Sequence, residues 1–350
     1  MSQNCSSRLK LNNFDLLRFL FAGTVCLVHA YELSGYKELG IISVFLSSKI
    51  AVEAFFVVSG FLIFMSYERS SSAGSYAEKR VRRIFPAYIV VVVLCALGLV
   101  IISSLPYREY FSSQWIKYVL ANLSFMNFIE HSLPGVFEHN KINAVNGALW
   151  TLKIEVMFYL CVPAFVYLFR RIGCLTVLVF VYFSSVIYVF ILSVMTENTD
   201  SGLYAILSRQ LPGQLSYFMA GAFFYYFLDA FEKHTTYFVS IAILILCANT
   251  EISLSFVQPF AIATLVIFFG LFLYAGNFGK FGDISYGVYI LHFPIIQIFL
   301  DEAWFEEDPW LFLSGIIVVT LIGAILMRHF VEKKFLLRSS HYVSSATSPK

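Results

Sequence analysis

Arg18 and His29 lie eleven residues apart in one apolar segment, FDLLRFLFAGTVCLVHAYEL. On a single helix, a rise of ~1.5 Å per residue separates them by roughly 16 Å. That is about half the ~30 Å hydrocarbon thickness of a bilayer. A guanidinium and an imidazole at two depths of one span are costly, and such groups mark binding or chemistry. The arrangement suits a substrate that enters from one side while the reaction happens nearer the other. Blander readings exist for each residue alone. Arg18 can pair with Asp15 at i,i+3 or snorkel to the interface, and a lone membrane histidine is often a hydrogen-bonded helix contact. Glu32, one turn beyond His29, has the spacing to orient the ring and raise its basicity.

Further ionisable residues follow the same pattern. Glu53 sits mid-run in AVEAFFVVSGFLIF, where a carboxyl must be paired or protonated. Ser59 and Gly60 beyond it allow close helix approach. In YAEKRVRRIFPAY (76–88), Arg80 and Arg83 share a helix face at i,i+3 while Arg82 points elsewhere. Two guanidiniums on one face suit a phosphate or pyrophosphate, although basic clusters at span mouths often only set topology. Trp150, Lys153 and Glu155 open NGALWTLKIEVMFYLCVP. Lys153 and Glu155 are two apart and face different ways, so at least one turns into the bundle. His292 falls at mid-depth of GDISYGVYILHFPI, and Pro294 after it frees a backbone carbonyl. Ser285 and Tyr286 of that segment join Glu32, Trp150, Lys153, Glu155 and His292 as candidate site lining. Convergent ionisable groups in an apolar bundle favour a catalytic or transport site over plain structure.

The elements that must position these residues are membrane spans. The 350-residue chain is 59% hydrophobic, 18% aromatic and only 13% charged, with mean hydropathy +0.76, well outside soluble composition. The expected class is all-α, a polytopic transmembrane helical bundle forming a single domain over 1–350. Apolar runs predict ten spans, at 14–33, 44–66, 84–105, 147–169, 173–195, 210–229, 235–250, 256–276, 284–300 and 310–330. The first is expected to be an uncleaved span. Ten spans put both termini on one side. Arg8, Lys10, the Arg69–Arg83 cluster, Arg170, Arg171, Lys233, Lys280, Arg328, Lys333, Lys334, Arg338 and Lys350 fall on that side. The opposite face carries Lys37, Arg108, Lys117, Lys141 and Arg209. The bias places both termini in the cytoplasm and residues 106–146 outside as the one long loop. Within it, 110–129 is amphipathic and suits the interface or a re-entrant path. Cys5, Cys26, Cys95, Cys161, Cys174 and Cys247 are scattered without metal-ligand spacing. No metal, tightly bound cofactor or nucleic-acid partner is expected.

The ordered segments FDLLR–x10–His29, VEAFFVVSGFLI (52–63), KRVRRIFPAY (79–88), LWTLKIEVMFYLCVP (149–163) and GDISYGVYILHFP (282–294) resemble acyltransferase family 3 of membrane proteins. VEKKF (331–335) is a weaker match, with Lys334 where that family has proline, and Ala51 replaces a usual glycine. The resemblance runs from Asp15 to Phe335. It implies an O-acetyltransferase that moves acetyl from cytoplasmic acetyl-CoA to a hydroxyl of a bacterial surface glycan, O-antigen, capsule or exopolysaccharide, free or lipid-linked. It also implies a multi-pass protein of the bacterial cytoplasmic (inner) membrane, here expected to stand alone without an extracytoplasmic hydrolase-like domain. By the same resemblance His29 and Glu53 are catalytic, and Arg18, Arg80 and Arg83 bind the donor. Direct attack and an acyl-histidine intermediate are both open to such a site, as are other acyl groups.

The chief rival is a ten-span secondary transporter with a buried proton relay. No two-halves repeat supports it, and the arginine cluster has no counterpart in the second half. A structural or sensory membrane protein is the third reading, and the buried ionisable groups weigh against it. Orientation is directly testable. A cysteine introduced at Glu138 should react with membrane-impermeant thiol reagents from outside the cell, and labelling only from the cytoplasmic side would invert the assignment.

Overall fold

The computed structural model describes residues 9, 11–199, 201–249, 254–276, 278 and 282–337. Cys5, Arg8, Lys10, Lys280, Arg338 and Lys350, which entered the reading above, lie outside the described residues. Every regular element among the described residues is helical. The main helices are α1 (Phe14–Ser34), α2 (Ser48–Glu68), α3 (Ala73–Gly98), α4 (Ser113–Leu123), α5 (Trp150–Ile172), α6 (Cys174–Thr199), α7 (Leu211–Tyr226), α8 (Thr235–Ala248), α9 (Gln258–Leu271), α10 (Ser285–Asp301) and α11 (Pro309–Met327).

Among the described residues, six segments are long and apolar enough to cross a membrane: Phe14–Ser34, Lys37–Glu68, Ala73–Ile101, Gly147–Ile172, Cys174–Thr199 and Pro309–Phe335. The runs expected at 210–229, 235–250, 256–276 and 284–300 form the shorter helices α7, α8, α9 and α10, of 16, 14, 14 and 17 residues. Hydropathy extends past the hydrogen-bonded helix in the first three of these runs, and α10 matches its run to within one residue at each end. At Phe227, for example, the backbone leaves helical geometry (φ −114°, ψ 29°) before the chain continues as Leu228–Lys233. In the other direction, α3 starts eleven residues before the expected position 84. It carries the basic cluster as part of one helix, with Pro86 in its interior rather than its first turn. Arg80, Arg83, Ile84, Ala87, Tyr88 and Val91 are all buried, an i, i+3, i+4, i+7 stripe that gives the segment its helical face.

The chain divides into two compact units. The first comprises Met1–Leu17, Val52–Ala77 and Ile154–Asn277. There α7 packs on α6 and α9, and α8 packs on α9. Gly60 of α2 and Gly221 of α7 let these two helices touch through their backbones. A Cβ at Gly60 would overlap the Phe218 carbonyl, and one at Gly221 would overlap the Val57 carbonyl. Phe158 and Phe218 stack at 4.0 Å beside this contact. Asn13 donates to the Phe269 carbonyl at 2.9 Å and accepts from the Ala275 N–H at 3.0 Å, satisfying groups left open at the end of α9.

The second unit comprises Arg18–Ala51, Glu78–Lys153 and Phe278–Lys350. Its α10–α11 pair is close because Gly287 faces Ala324. The long loop is ordered and carries α4. Eleven residues are roughly 16 Å of helix, too short to cross a bilayer. The loop is tied to α3 by Tyr110 Oη and Trp115 Nε1, which both donate to the Ala96 carbonyl (2.9 and 2.8 Å), and by Tyr88 Oη, which donates to the Asn122 carbonyl (2.8 Å). Its later part is tied to α10. The fully buried Gln297 donates to the Ala144 carbonyl at 2.9 Å, and Asn140 donates to the Gln297 carbonyl at 3.0 Å.

A buried ion cluster holds the ends of four segments of this unit. Arg83 Nη2 lies 2.5 Å from Asp283 Oδ2, and Arg83 Nη1 lies 3.0 Å from Glu332 Oε2. Arg18 Nη1 reaches the same Asp283 oxygen at 3.5 Å, and Arg328 Nη1 lies 4.0 Å from Glu332 Oε2. The Arg83, Asp283 and Glu332 side chains are 8%, 1% and 2% exposed. Local backbone geometry builds the cluster. Asp283 Oδ1 accepts from Ser285 N–H at 3.0 Å and from Ser285 Oγ at 2.5 Å, which fixes its carboxylate beside the start of α10. Arg328–Glu332 is a π-helical turn, and the extra residue in it re-aims Glu332 inward. Gly282 has φ +79°, and the Arg328 guanidinium occupies the space a Cβ would need, so glycine is required there on both counts.

Burial alone would raise the Asp283 carboxyl, but Arg18 and Arg83 beside it outweigh burial and hold it well below the ordinary carboxylate range. Its folded value is depressed, so its contribution to stability is complete at neutral pH. That contribution is lost only as pH falls below the ordinary aspartate range. Asp283→Asn removes the shared charge and leaves two guanidiniums buried. The expected cost is about 3–5 kcal/mol, read as a lowered melting temperature of the purified protein in detergent at neutral pH. An unchanged melt would show that the cluster does not hold the unit together.

Candidate functional site

Within the second unit, the site is built where α1 and α10 face each other. His29 and His292 meet at 2.9 Å, Nδ1 to Nε2. His292 is fully buried, whereas His29 is half-buried. The His292 Nδ1 lies 3.2 Å from the Val288 carbonyl one turn earlier. Phe293 sets its edge against the His29 ring at 5.7 Å, and Tyr289 does the same to His292 at 5.8 Å. Pro294 has no N–H for the Ile290 carbonyl. That carbonyl instead accepts from Asn146 Nδ2 at 2.8 Å, which seats the long loop on the turn that carries His292. Tyr289 Oη and Thr151 Oγ1 are 2.7 Å apart and add a second tie.

The two contacts between α1 and the α10 segment ascend together. Arg18 meets Asp283, and eleven residues later His29 meets His292, nine residues beyond Asp283. The helices therefore run in the same direction. The ion cluster sits at their starting ends and the imidazole pair further along, as a rise of ~1.5 Å per residue requires. Arg80 and Arg83 are both buried, one turn apart on α3. Arg82 is 41% exposed and pairs with Glu78 at 2.8 Å, so it does point elsewhere. Tyr286 lies under the Arg83 guanidinium at 5.5 Å and donates to the Ile84 carbonyl at 3.0 Å. Ser285, the first residue of α10, donates its N–H and Oγ–H to Asp283 Oδ1.

The remaining expected site residues have the following surroundings. Glu32 is exposed, and its backbone carbonyl accepts from Lys141 Nζ at 2.9 Å. The imidazole neighbour of His29 is His292. Trp150 is half-buried at the start of α5, and Lys153 Nζ lies 4.9 Å from the Phe128 ring centre. Glu53 and Glu155 belong to the first unit. Glu53 is 5% exposed and hydrogen-bonded by the Tyr217 hydroxyl, and Glu155 Oε1 accepts from Tyr159 Oη at 2.5 Å.

Sequence reasoning passed over Asp283, Glu332, Asn146, Gln297 and Tyr217. Asp283 and Glu332 stand inside the segments GDISY and VEKKF that it quoted. The available signal was an acidic residue at each span end, on the same side as an otherwise uncompensated arginine pair. Chemically, an imidazole with one face open and the other on a second ring can take and return a proton. Three arginines, Arg18, Arg83 and Arg328, gather on the two carboxylates Asp283 and Glu332, and guanidiniums are groups suited to phosphate.

A family described as an acyltransferase domain matches residues 11–329 of the chain. A protein of Shigella phage Sf6 named O-acetyl transferase is 29% identical over 348 residues, covering 96% of this chain and 99% of that one. Nodulation protein 10 of Rhizobium leguminosarum bv. viciae is 33% identical over 173 residues, 46% of this chain and 45% of that one. No solved structure matches the chain. The family match spans nearly all of the helical architecture just described, including both histidines and the arginines, and the chain belongs to this family of membrane acyltransferases.

Proposed function

We propose that the protein is an O-acetyltransferase of the bacterial cytoplasmic membrane, moving acetyl from cytoplasmic acetyl-CoA to a hydroxyl of a surface glycan or its lipid-linked precursor. One observation carries the reading: a positively biased, buried cluster and a histidine pair occupy successive depths of the same two parallel helices. The name of the phage relative, O-acetyl transferase, points the same way. Membership of an acyltransferase family leaves the proton-relay reading with no feature of its own.

The topology proposed with it is ten spans with both termini cytoplasmic. In that scheme spans one, three and nine begin, and span ten ends, on the cytoplasmic side. Arg18, Arg83, Asp283 and Glu332 lie at or beside those four ends in the scheme, and their meeting in one cluster supports it.

Phosphates of the donor would meet the arginines from the cytoplasm. Arg80, buried one turn from Arg83 on the same helix face, is assigned to donor binding together with Arg18 and Arg83. The pantetheine arm, long and weakly polar, would extend along the helices toward His29. His29 takes the acceptor hydroxyl proton while the oxygen attacks the thioester carbonyl. Glu53, held by Tyr217 within the first unit, keeps its proposed catalytic role. Ser285 and Tyr286 support the arginines, and Trp150, Lys153 and Glu155 are retained as lining.

Two variants test this. His29→Ala should abolish O-acetyl signals in the proton spectrum of purified surface polysaccharide while membrane expression stays normal; retained acetylation would remove the central claim. Arg80→Lys keeps the charge but loses the forked donor geometry. Its acetyl-CoA affinity, titrated on purified protein, should fall roughly tenfold, about 1.4 kcal/mol. Arg82→Lys should bind as the parent does, and equal affinity in all three would leave the cluster a topology signal only.

A further inference from the structure

A neutral imidazole carries one proton for two nitrogens, and only the nitrogen without it can act as a base. The surroundings of the histidine pair decide which nitrogen that is. A backbone carbonyl can only accept, so the His292 Nδ1 at 3.2 Å from the Val288 carbonyl carries the proton of that ring. The His292 Nε2 is then a lone pair. Its 2.9 Å contact with His29 Nδ1 requires His29 to donate. The His29 proton is thereby committed to Nδ1, and Nε2 is left bare. The reverse arrangement sets the His292 Nδ1 lone pair against the carbonyl lone pairs in a site that is 0% exposed, the costly case of an unmade buried hydrogen bond. A doubly protonated His292 would bury a cation against a second imidazole, which is costlier still.

We propose that His292 is a positioning residue that holds His29 in the Nδ1–H tautomer and presents its Nε2 to the acceptor hydroxyl. The burial pattern matches the division of labour, with the wholly enclosed ring orienting and the half-buried ring reaching substrate. The support extends outward. Asn146 holds the Ile290 carbonyl freed by Pro294, and Phe293 and Tyr289 bracket the rings, so the turn bearing His292 is fixed by the long loop. In the reaction, the hydroxyl proton passes to His29 Nε2 as the oxygen bonds to the thioester carbonyl carbon. The carbon–sulfur bond then breaks, and the leaving thiolate takes that proton back from Nε2. Throughout, the Nδ1–H stays on the His292 lone pair.

The inference rests on the reading of His29 as the base, but its first test needs no turnover. Long-range proton–nitrogen spectra of protein labelled with ¹⁵N-histidine, assigned by comparison with His29→Ala, should show His29 protonated on Nδ1. In His292→Phe the His29 proton should move to Nε2. Acyl transfer should lose roughly 100-fold in kcat, with KM for acetyl-CoA unchanged. His292→Gln, whose amide oxygen can accept at the same place, should restore the Nδ1–H form and most of kcat. A parent spectrum with His29 protonated on Nε2 overturns the proposal by itself, even if the Phe variant fails to fold. An unchanged tautomer and kcat in a folded His292→Phe overturns it too. An active His29→Ala beside an Nδ1–H parent spectrum would instead fail the base assignment and leave the orienting contact standing.

Discussion

A guanidinium buried between two carboxylates sets the arrangement of the second unit. Arg83 on α3 reaches Asp283 before α10 and Glu332 after α11, and Arg18 on α1 shares Asp283. In a medium of low dielectric none of these charges can stay unpaired, so four segment ends distant in sequence must meet. The apolar faces of membrane helices specify partners weakly, because lipid is as good a neighbour as leucine. A charge that requires a counter-charge specifies them strongly. The π-turn at 328–332 and the left-handed Gly282 are the local backbone departures that bring the carboxylates to the arginine.

From that anchor the positions of the reactive groups follow. With Arg18 and Asp283 joined, parallel α1 and α10 bring His29 and His292 level further along, and the second contact closes at 2.9 Å. Two ties on one helix pair leave little freedom to rotate or slide. The long loop adds a third restraint through Asn146, Asn140 and Gln297. The loop is therefore part of the support of the site rather than a connector. The same logic sorts the arginines. Arg18 and Arg83 share Asp283, and Arg80, one turn from Arg83, is buried on the same face. Arg82 is turned to Glu78 at the surface.

Individual residues show how far reading the chain alone carries. The split between Arg80/Arg83 and Arg82 followed from i,i+3 spacing, and burial agrees with it. Pro294 announced a freed carbonyl, and the Ile290 carbonyl is bonded by Asn146. Helix limits were less legible, because hydropathy measures solubility in lipid and not hydrogen bonding. Apolar runs therefore overstate α7, α8 and α9, and the polar first turns of α3 escape notice. Asp283 and Glu332 were hidden for a related reason: an acid at a span end looks interfacial until the fold encloses it.

The sequence by itself determined the class, the spans that are long and apolar, the side bias of the basic residues and the ordered motifs that identify the family. Each is a property of composition or of spacing within one segment, and a helix converts such spacing directly into depth and face. Only the tertiary structure decided which groups are partners. The neighbour of the His29 ring is His292, 263 residues away, and not Glu32, one turn away; Arg83 meets Asp283 and Glu332, 200 and 249 residues away. No local rule encodes those pairs, since they depend on which helices become neighbours. Once charges and imidazoles are confined to an apolar interior, satisfying them together is the condition that selects the neighbours.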